Sequence, residues 1–135
     1  MKEKVLLVDN FPGVGDSLDQ ALRLEGYDLT LASNGKEALN ALRTTGFDMV
    51  VLDLNVPVTA GWAALSQIVT TSLSLPLIII TGRPDQQPLA THKGVTAVLE
   101  KPLDLLLLLG VMARALAETS RVRGKGLRSE SSHLQ

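Results

Sequence analysis

The chain reads as an α/β domain: a doubly wound, five-stranded parallel sheet of order 2-1-3-4-5, with five helices shared between both faces. Three observations predict it. Short apolar runs without polar alternation recur at Val5–Val8, Asp48–Asp53 and Leu77–Ile80, as strands covered on both faces require. Between them lie stretches whose apolar residues repeat at helical spacing. Gly and Pro stand at the joints, so the alternation of strand and helix repeats five times along 135 residues, the size of one domain.

Each element follows from its residues. Val5–Val8 is the first strand, broken by Pro12 and Gly13. Residues 14–25 form a helix through the stripe Val14, Leu18, Ala21, Leu22 and Leu24, and Gly26 stops it. Tyr27–Ala32 alternates weakly and reads as the second strand. Ser33 and Asn34 can cap a helix over about 35–45 that turns Ala38, Leu39 and Leu42 inward and ends at Gly46. Asp48–Asp53 is the third strand, followed by the loop Asn55–Gly61 and a helix near 62–72. Pro76 introduces the fourth strand, 77–81. Pro84 and Pro88 confine the next helix to a short piece near 85–93. Ala97–Glu100 is the fifth strand, and the last helix runs from Leu103 to about Ala117.

Charge divides the chain. The formal net charge is -1, which favours neither nucleic acid nor an anionic membrane. Residues 1–118 carry 9 basic and 13 acidic residues, whereas residues 119–135 carry 4 basic and 1 acidic. The expectation is a folded domain over 1–118 and a disordered basic tail or linker over 119–135. That tail has no aromatic residue, so nucleic-acid binding is not expected of it. There are no cysteines, which excludes disulfides, thiolate chemistry and Cys-based zinc sites. The apolar stretch Leu103–Leu109 is interrupted by Asp104 and is too short to span a bilayer. A soluble cytoplasmic protein without membrane contact is expected.

Four strand ends carry complementary chemistry. Asp9 and Asn10 follow the first strand, Asp53 ends the third, Thr81 ends the fourth, and Lys101-Pro102 follows the fifth. In a doubly wound sheet ligands bind outside the carboxyl ends of the strands, where strand order reverses. Order 2-1-3-4-5 makes strands one and three neighbours there, so Asp9, Asn10 and Asp53 would meet, with Thr81 beside them and Lys101 beyond. Such oxygen donors suit a hard cation such as Mg²⁺. A metal and an ammonium around one carboxylate would stabilise phosphoryl transfer, in which charge spreads over three oxygens.

The pieces Leu6-Leu-Val-Asp9-Asn10, Asn34-Gly-Lys-Glu-Ala-Leu39, Phe47-Asp-Met-Val-Val-Leu-Asp53-Leu-Asn-Val-Pro57, Gly61, Ile80-Thr81-Gly82 and Lys101-Pro102 resemble the response-regulator receiver domain of two-component signalling, over about residues 3–118. The resemblance implies a regulatory phosphoacceptor rather than an enzyme, with at most catalysis of its own phosphotransfer and dephosphorylation. Asp53 would accept a phosphoryl group from a histidine kinase or phosphotransfer protein. Asp9, Asn10, Asp53 and the backbone carbonyl of Asn55 would hold Mg²⁺, while Thr81 and Lys101 would contact phosphoryl oxygens. A cis Lys101-Pro102 peptide is also implied. An output domain or protein, and a homodimer, are the further partners that the family admits.

Two residues depart from the pattern. Asn10 stands at an acidic metal position, so Asp9, Asp53 and Lys101 sum to -1 where the family would have -2. One unit charge at about 4 Å and an effective dielectric near 20 is worth at most roughly 4 kcal/mol, so weaker Mg²⁺ binding is expected. Val98, three residues before Lys101, replaces the aromatic ring that relays phosphorylation in the family. Together they motivate an alternative, a receiver-like interaction domain that works without phosphorylation. Other motifs fall short. Phe11–Gly15 resembles the start of a dinucleotide fingerprint, but the third glycine position is Leu18. Asp53-Leu-Asn55 lacks the second acid of an Asp-x-Asp phosphatase motif. His92, His133 and Trp62 have no catalytic partner in the sequence pattern.

Overall fold

The apolar runs do become strands. The computed structural model describes residues 2–9, 16–54, 75–82 and 94–134. Strands Lys4–Asp9 (β1), Asp28–Ala32 (β2), Met49–Leu54 (β3), Leu77–Thr81 (β4) and Ala97–Glu100 (β5) form one parallel sheet, ordered β2-β1-β3-β4-β5. Helices Asp16–Leu24 (α1), Gly35–Thr44 (α2) and Leu105–Leu134 (α3) cover it among the described residues. The helices expected near 62–72 and 85–93, together with Asn10, Asn55, Trp62 and His92, lie outside the described residues.

Period-two alternation sorts the core into two layers. Leu6, Val8, Val50, Leu52, Leu77 and Ile79 face one way and pack with Ala38 and Leu39 of α2 and with Phe47. Val5, Leu7, Met49, Val51, Ile78 and Ile80 face the other way, toward Leu22 of α1 and Leu108, Met112 and Ala115 of α3. Every side chain from Val5 to Val8 and from Leu77 to Ile80 is buried. That explains why these strands lack polar alternation: neither face meets water.

Turn chemistry fixes the joints. After α1 the Tyr27 amide donates to the Leu22 carbonyl at 3.3 Å and the Gly26 amide to the Arg23 carbonyl at 3.0 Å. This pair of bonds needs a left-handed residue between helix and strand, and Gly26 supplies it with φ 97°. At α2, the Asn34 side chain accepts from the Glu37 amide at 2.9 Å, and Glu37 accepts from the Ser33 amide at 2.7 Å. Two otherwise unmatched donors are thereby satisfied. At the amino end of the sheet, the Lys4 amide donates to Asp48 Oδ2 at 2.8 Å while the Asp48 amide donates to the Lys4 carbonyl at 2.7 Å. Thr96 closes β4 against β5 in the same way: its hydroxyl accepts from the Leu77 amide at 3.0 Å, and its own amide donates to the Leu77 carbonyl at 2.8 Å.

The last helix differs from expectation at both ends. It starts at Leu105 rather than Leu103, because Asp104 serves as its cap and accepts from the Leu107 amide at 3.2 Å. It also continues past Ala117, through the segment expected to be a disordered tail or linker, as far as Leu134. The physical reason is that a polar composition does not by itself end a helix. No proline follows Pro102, and Arg, Lys, Glu and Leu are good helix formers.

The two sides of α3 should respond oppositely to truncation. Leu108→Ala removes a fully buried side chain and should cost about 3 kcal/mol in urea denaturation. Leu106→Ala, at an 81% exposed position, should stay within about 0.5 kcal/mol. Asn34→Ala should cost about 1 kcal/mol through loss of the cap.

Candidate functional site

The register of the sheet builds the site. β1 and β3 pair in parallel so that Asp9 lies opposite Asp53, one step beyond Val8 and Leu52. Both carboxylates continue the alternation of Val5, Leu7, Met49 and Val51, so they leave the sheet on the side of α1 and α3. They are 6% and 5% exposed. Buried carboxylates need partners, because desolvation of a lone charge is costly. Lys101 supplies one for Asp53: its Nζ forms an ion pair with Asp53 Oδ1 at 2.8 Å. The lysine comes from beyond β5, so its side chain passes the end of β4 to reach β3. Gly82 borders that path. A Cβ there would meet Lys101 Cδ at 3.8 Å, an ordinary contact. The Lys101 amide is itself tied to the Thr81 carbonyl at 2.8 Å, and the Lys101-Pro102 peptide is cis.

Thr81 is fully buried and lies one register step further, opposite Leu54. It continues the alternation of Leu77 and Ile79, so it belongs to the α2 face while Asp53 belongs to the opposite one. The two side chains share the carboxyl end of the sheet but leave it on different sides. Val98 pairs with Ile79 and packs against the α2-side layer, on the face that Thr81 continues. Glu100, which the sequence pattern does not single out, stands opposite Thr81 in the β4–β5 register. Its place there is a cross-strand relation that the sequence alone does not carry.

Of the residues expected in the site, Asp9, Asp53 and Lys101 come together, Thr81 lies at their edge, and Asn10 and Asn55 lie outside the described residues. The described donor set is all oxygen, and no group of three or more His, Cys, Asp or Glu forms among the described residues. Two adjacent carboxylates fit a hard cation that keeps waters, and they do not fit a nitrogen- or sulfur-seeking one.

The model of the response regulator receiver domain matches residues 5–112. The chain belongs to this family. The receiver domain is 32% identical over 128 residues to the response regulator MprA of Mycolicibacterium vanbaalenii, an alignment covering 93% of this chain and 55% of that one. It is also 32% identical over 126 residues to the response regulator protein PmrA of Pseudomonas aeruginosa, covering 92% and 56%. The chain thus spans about half the length of the curated relatives it matches. Among solved structures, the signal receiver domain of an HD domain-containing protein from Pseudomonas fluorescens superimposes with TM-score 0.79 at 28% identity, over 90% of this chain and 99% of that one. The receiver domain of a sensor histidine kinase from Pseudomonas aeruginosa gives 0.73 at 25%, over 87% and 99%, and that structure holds a magnesium ion in its active site cleft. The class of function follows: this is a phosphoacceptor signalling module of the two-component kind. Among the described residues no helix is long and apolar enough to cross a membrane.

The Lys101–Asp53 ion pair should be measurable by a double-mutant cycle. Because the lysine side chain is 28% exposed, Lys101→Met should cost about 1–2 kcal/mol, less than a fully buried pair. In an Asp53→Asn background the same change should cost less than about 0.5 kcal/mol. Equal costs in the two backgrounds would show that the pair contributes nothing.

Proposed function

We propose that Asp53 is the phosphoacceptor, taking a phosphoryl group from a histidine kinase or a phosphotransfer protein. The observation that carries this is the Lys101 ammonium 2.8 Å from the Asp53 carboxylate, with Asp9 in register beside it. A carboxylate oxygen of Asp53 forms the new O–P bond as the N–P bond of phosphohistidine breaks, and the leaving imidazole keeps the electron pair and takes up a proton. Lys101 then pairs with a phosphoryl oxygen instead of the free carboxylate, which keeps its charge matched through the transfer. Thr81 donates its hydroxyl to another oxygen. Since Thr81 and Asp53 lie on opposite sides of the sheet, that hydroxyl must reach over the strand end.

Asp9, Asn10, Asp53 and the backbone carbonyl of Asn55 would hold Mg²⁺, which neutralises charge developing on the phosphoryl oxygens. The donor chemistry supports this, and Asn10 in place of an acid makes the site weaker than is usual in the family. The reading makes the domain a regulator whose sole catalysis is of its own phosphorylation and dephosphorylation. It places the chain in the cytoplasm with its kinase and an output domain or protein, with the receiver unit over 1–118 and residues 119–135 as a basic tail or linker.

A second reading, a receiver fold used for docking without phosphorylation, draws on Asn10 and Val98. Incubation with a small phosphodonor followed by intact-mass measurement separates the two. We expect a single phosphoryl addition that needs Mg²⁺ and disappears in Asp53→Ala. Label retained in that variant would overturn the assignment, and no label at any Mg²⁺ concentration would favour the second reading.

Two further outcomes follow from the departures. Asn10→Asp should tighten Mg²⁺ binding measured by calorimetry, since it returns a full charge to the site. Val98 is stiff at χ1 and has no ring to relocate. Adding beryllofluoride should therefore move amide resonances at Thr81–Asp85 more than those at Ala97–Glu100, and equal movement would show full coupling through the valine.

A further inference from the structure

Glu100 is a strand-end carboxylate that the phosphoacceptor reading leaves unused. It stands directly opposite Thr81 in the β4–β5 register. Neighbouring strands lie about 4.8 Å apart, so side chains opposite each other on one face are within reach of each other. The face is shared. Val98 packs into the α2-side layer and Leu99 into the other, so Glu100 leaves β5 on the α2 side, the side that Thr81 continues from β4. Lys101 leaves on the opposite side, where its ammonium meets Asp53. Glu100 and Lys101 are adjacent in the chain, yet the carboxylate stands on the side of the threonine hydroxyl and not on that of the ammonium.

Thr81 is fully buried, whereas Glu100 is exposed at the end of β5. Buried hydroxyls are kept hydrogen-bonded. An ionised carboxylate only accepts, and bonds to an ionised group are stronger than neutral ones. Rotation about χ1 carries a threonine hydroxyl from one staggered position to another. We propose that Glu100 is a positioning residue: its carboxylate accepts the Thr81 hydroxyl in the unphosphorylated domain and holds it on the α2 side, away from Asp53. The consequence for signalling rests on Asp53 being the phosphoacceptor. Thr81 must then exchange one acceptor for another, leaving Glu100 to reach over the strand end to a phosphoryl oxygen. Holding the hydroxyl back weakens binding of the phosphoryl group in proportion to the fraction of molecules in which the hydroxyl is released. Its release in turn frees the Glu100 carboxylate at the exposed end of β5. The state of Asp53 is thereby reported on the other side of the sheet without an aromatic ring at Val98.

Two measurements on the full chain test this. The first uses the unphosphorylated protein, in which three-bond couplings to the Thr81 methyl should report a single χ1 rotamer. Glu100→Ala should show averaging between rotamers, and Glu100→Gln, which keeps an acceptor oxygen but no charge, should retain the single one. Glu100 is exposed, so neither change disturbs the core. The second is a titration with beryllofluoride and Mg²⁺. Glu100→Ala should bind about tenfold more tightly than the parent, and Glu100→Gln should stay within about threefold of it. In a Thr81→Val background, Glu100→Ala should change the affinity by less than about twofold. An unchanged Thr81 rotamer in Glu100→Ala, equal tightening by Ala and Gln, or tightening that persists beside Thr81→Val would each overturn the proposal; the last two would reduce Glu100 to a surface charge. A parent protein that binds no beryllofluoride would count against Asp53 as the phosphoacceptor, and the rotamer measurement would then decide on Glu100 by itself.

Discussion

Two carboxylates side by side at the end of a buried parallel sheet constrain everything around them. Asp9 and Asp53 are placed opposite each other by the same register that pairs Val5 with Met49 and Leu7 with Val51. A slip of one residue would separate them and turn the apolar rows to the wrong faces. The core therefore specifies the site, and the site needs little structure of its own. What it does need is compensation for burying like charges together, and the Lys101 ammonium answers that need across the width of a strand.

That dependence explains how much could be read beforehand. Strand existence and order were legible, because a run such as Leu77-Ile-Ile-Ile80 leaves few alternatives to a strand covered on both sides. The meeting of Asp9, Asp53 and Lys101 was legible for the same reason, as each ends or follows such a run. The side on which Thr81 leaves the sheet was not, since it depends on register parity between β3 and β4, and strand ends alone do not reveal that. Glu100 escaped notice on similar grounds, because its place opposite Thr81 is a cross-strand fact.

The end of α3 is not legible in the sequence, because an apolar stripe marks burial and not helicity. Among the residues whose burial is described, Ala115 and Leu116 are the last that pack toward the sheet, and the chain turns polar after Ala117. Backbone hydrogen bonds of a helix continue through polar sequence where no proline intervenes, and none does between Asp104 and Leu134. The same ambiguity hides Asp104, whose carboxylate reads as an interruption of an apolar run until its bond to the Leu107 amide is seen.

The sheet is fastened unevenly along its length. At the amino end, Asp48 grips the Lys4 backbone through two bonds, and Thr96 grips Leu77 through two more. At the other end the strands finish in charged and hydroxyl side chains, where the Lys101 amide bonds the Thr81 carbonyl and the Lys101 ammonium meets Asp53. The amino end is thus held by grips between side chain and backbone, and the carboxyl end by an ion pair that crosses from β5 to β3. A change of charge at Asp53 would fall on that ion pair first, while the grips at the far end hold the two packed layers in place.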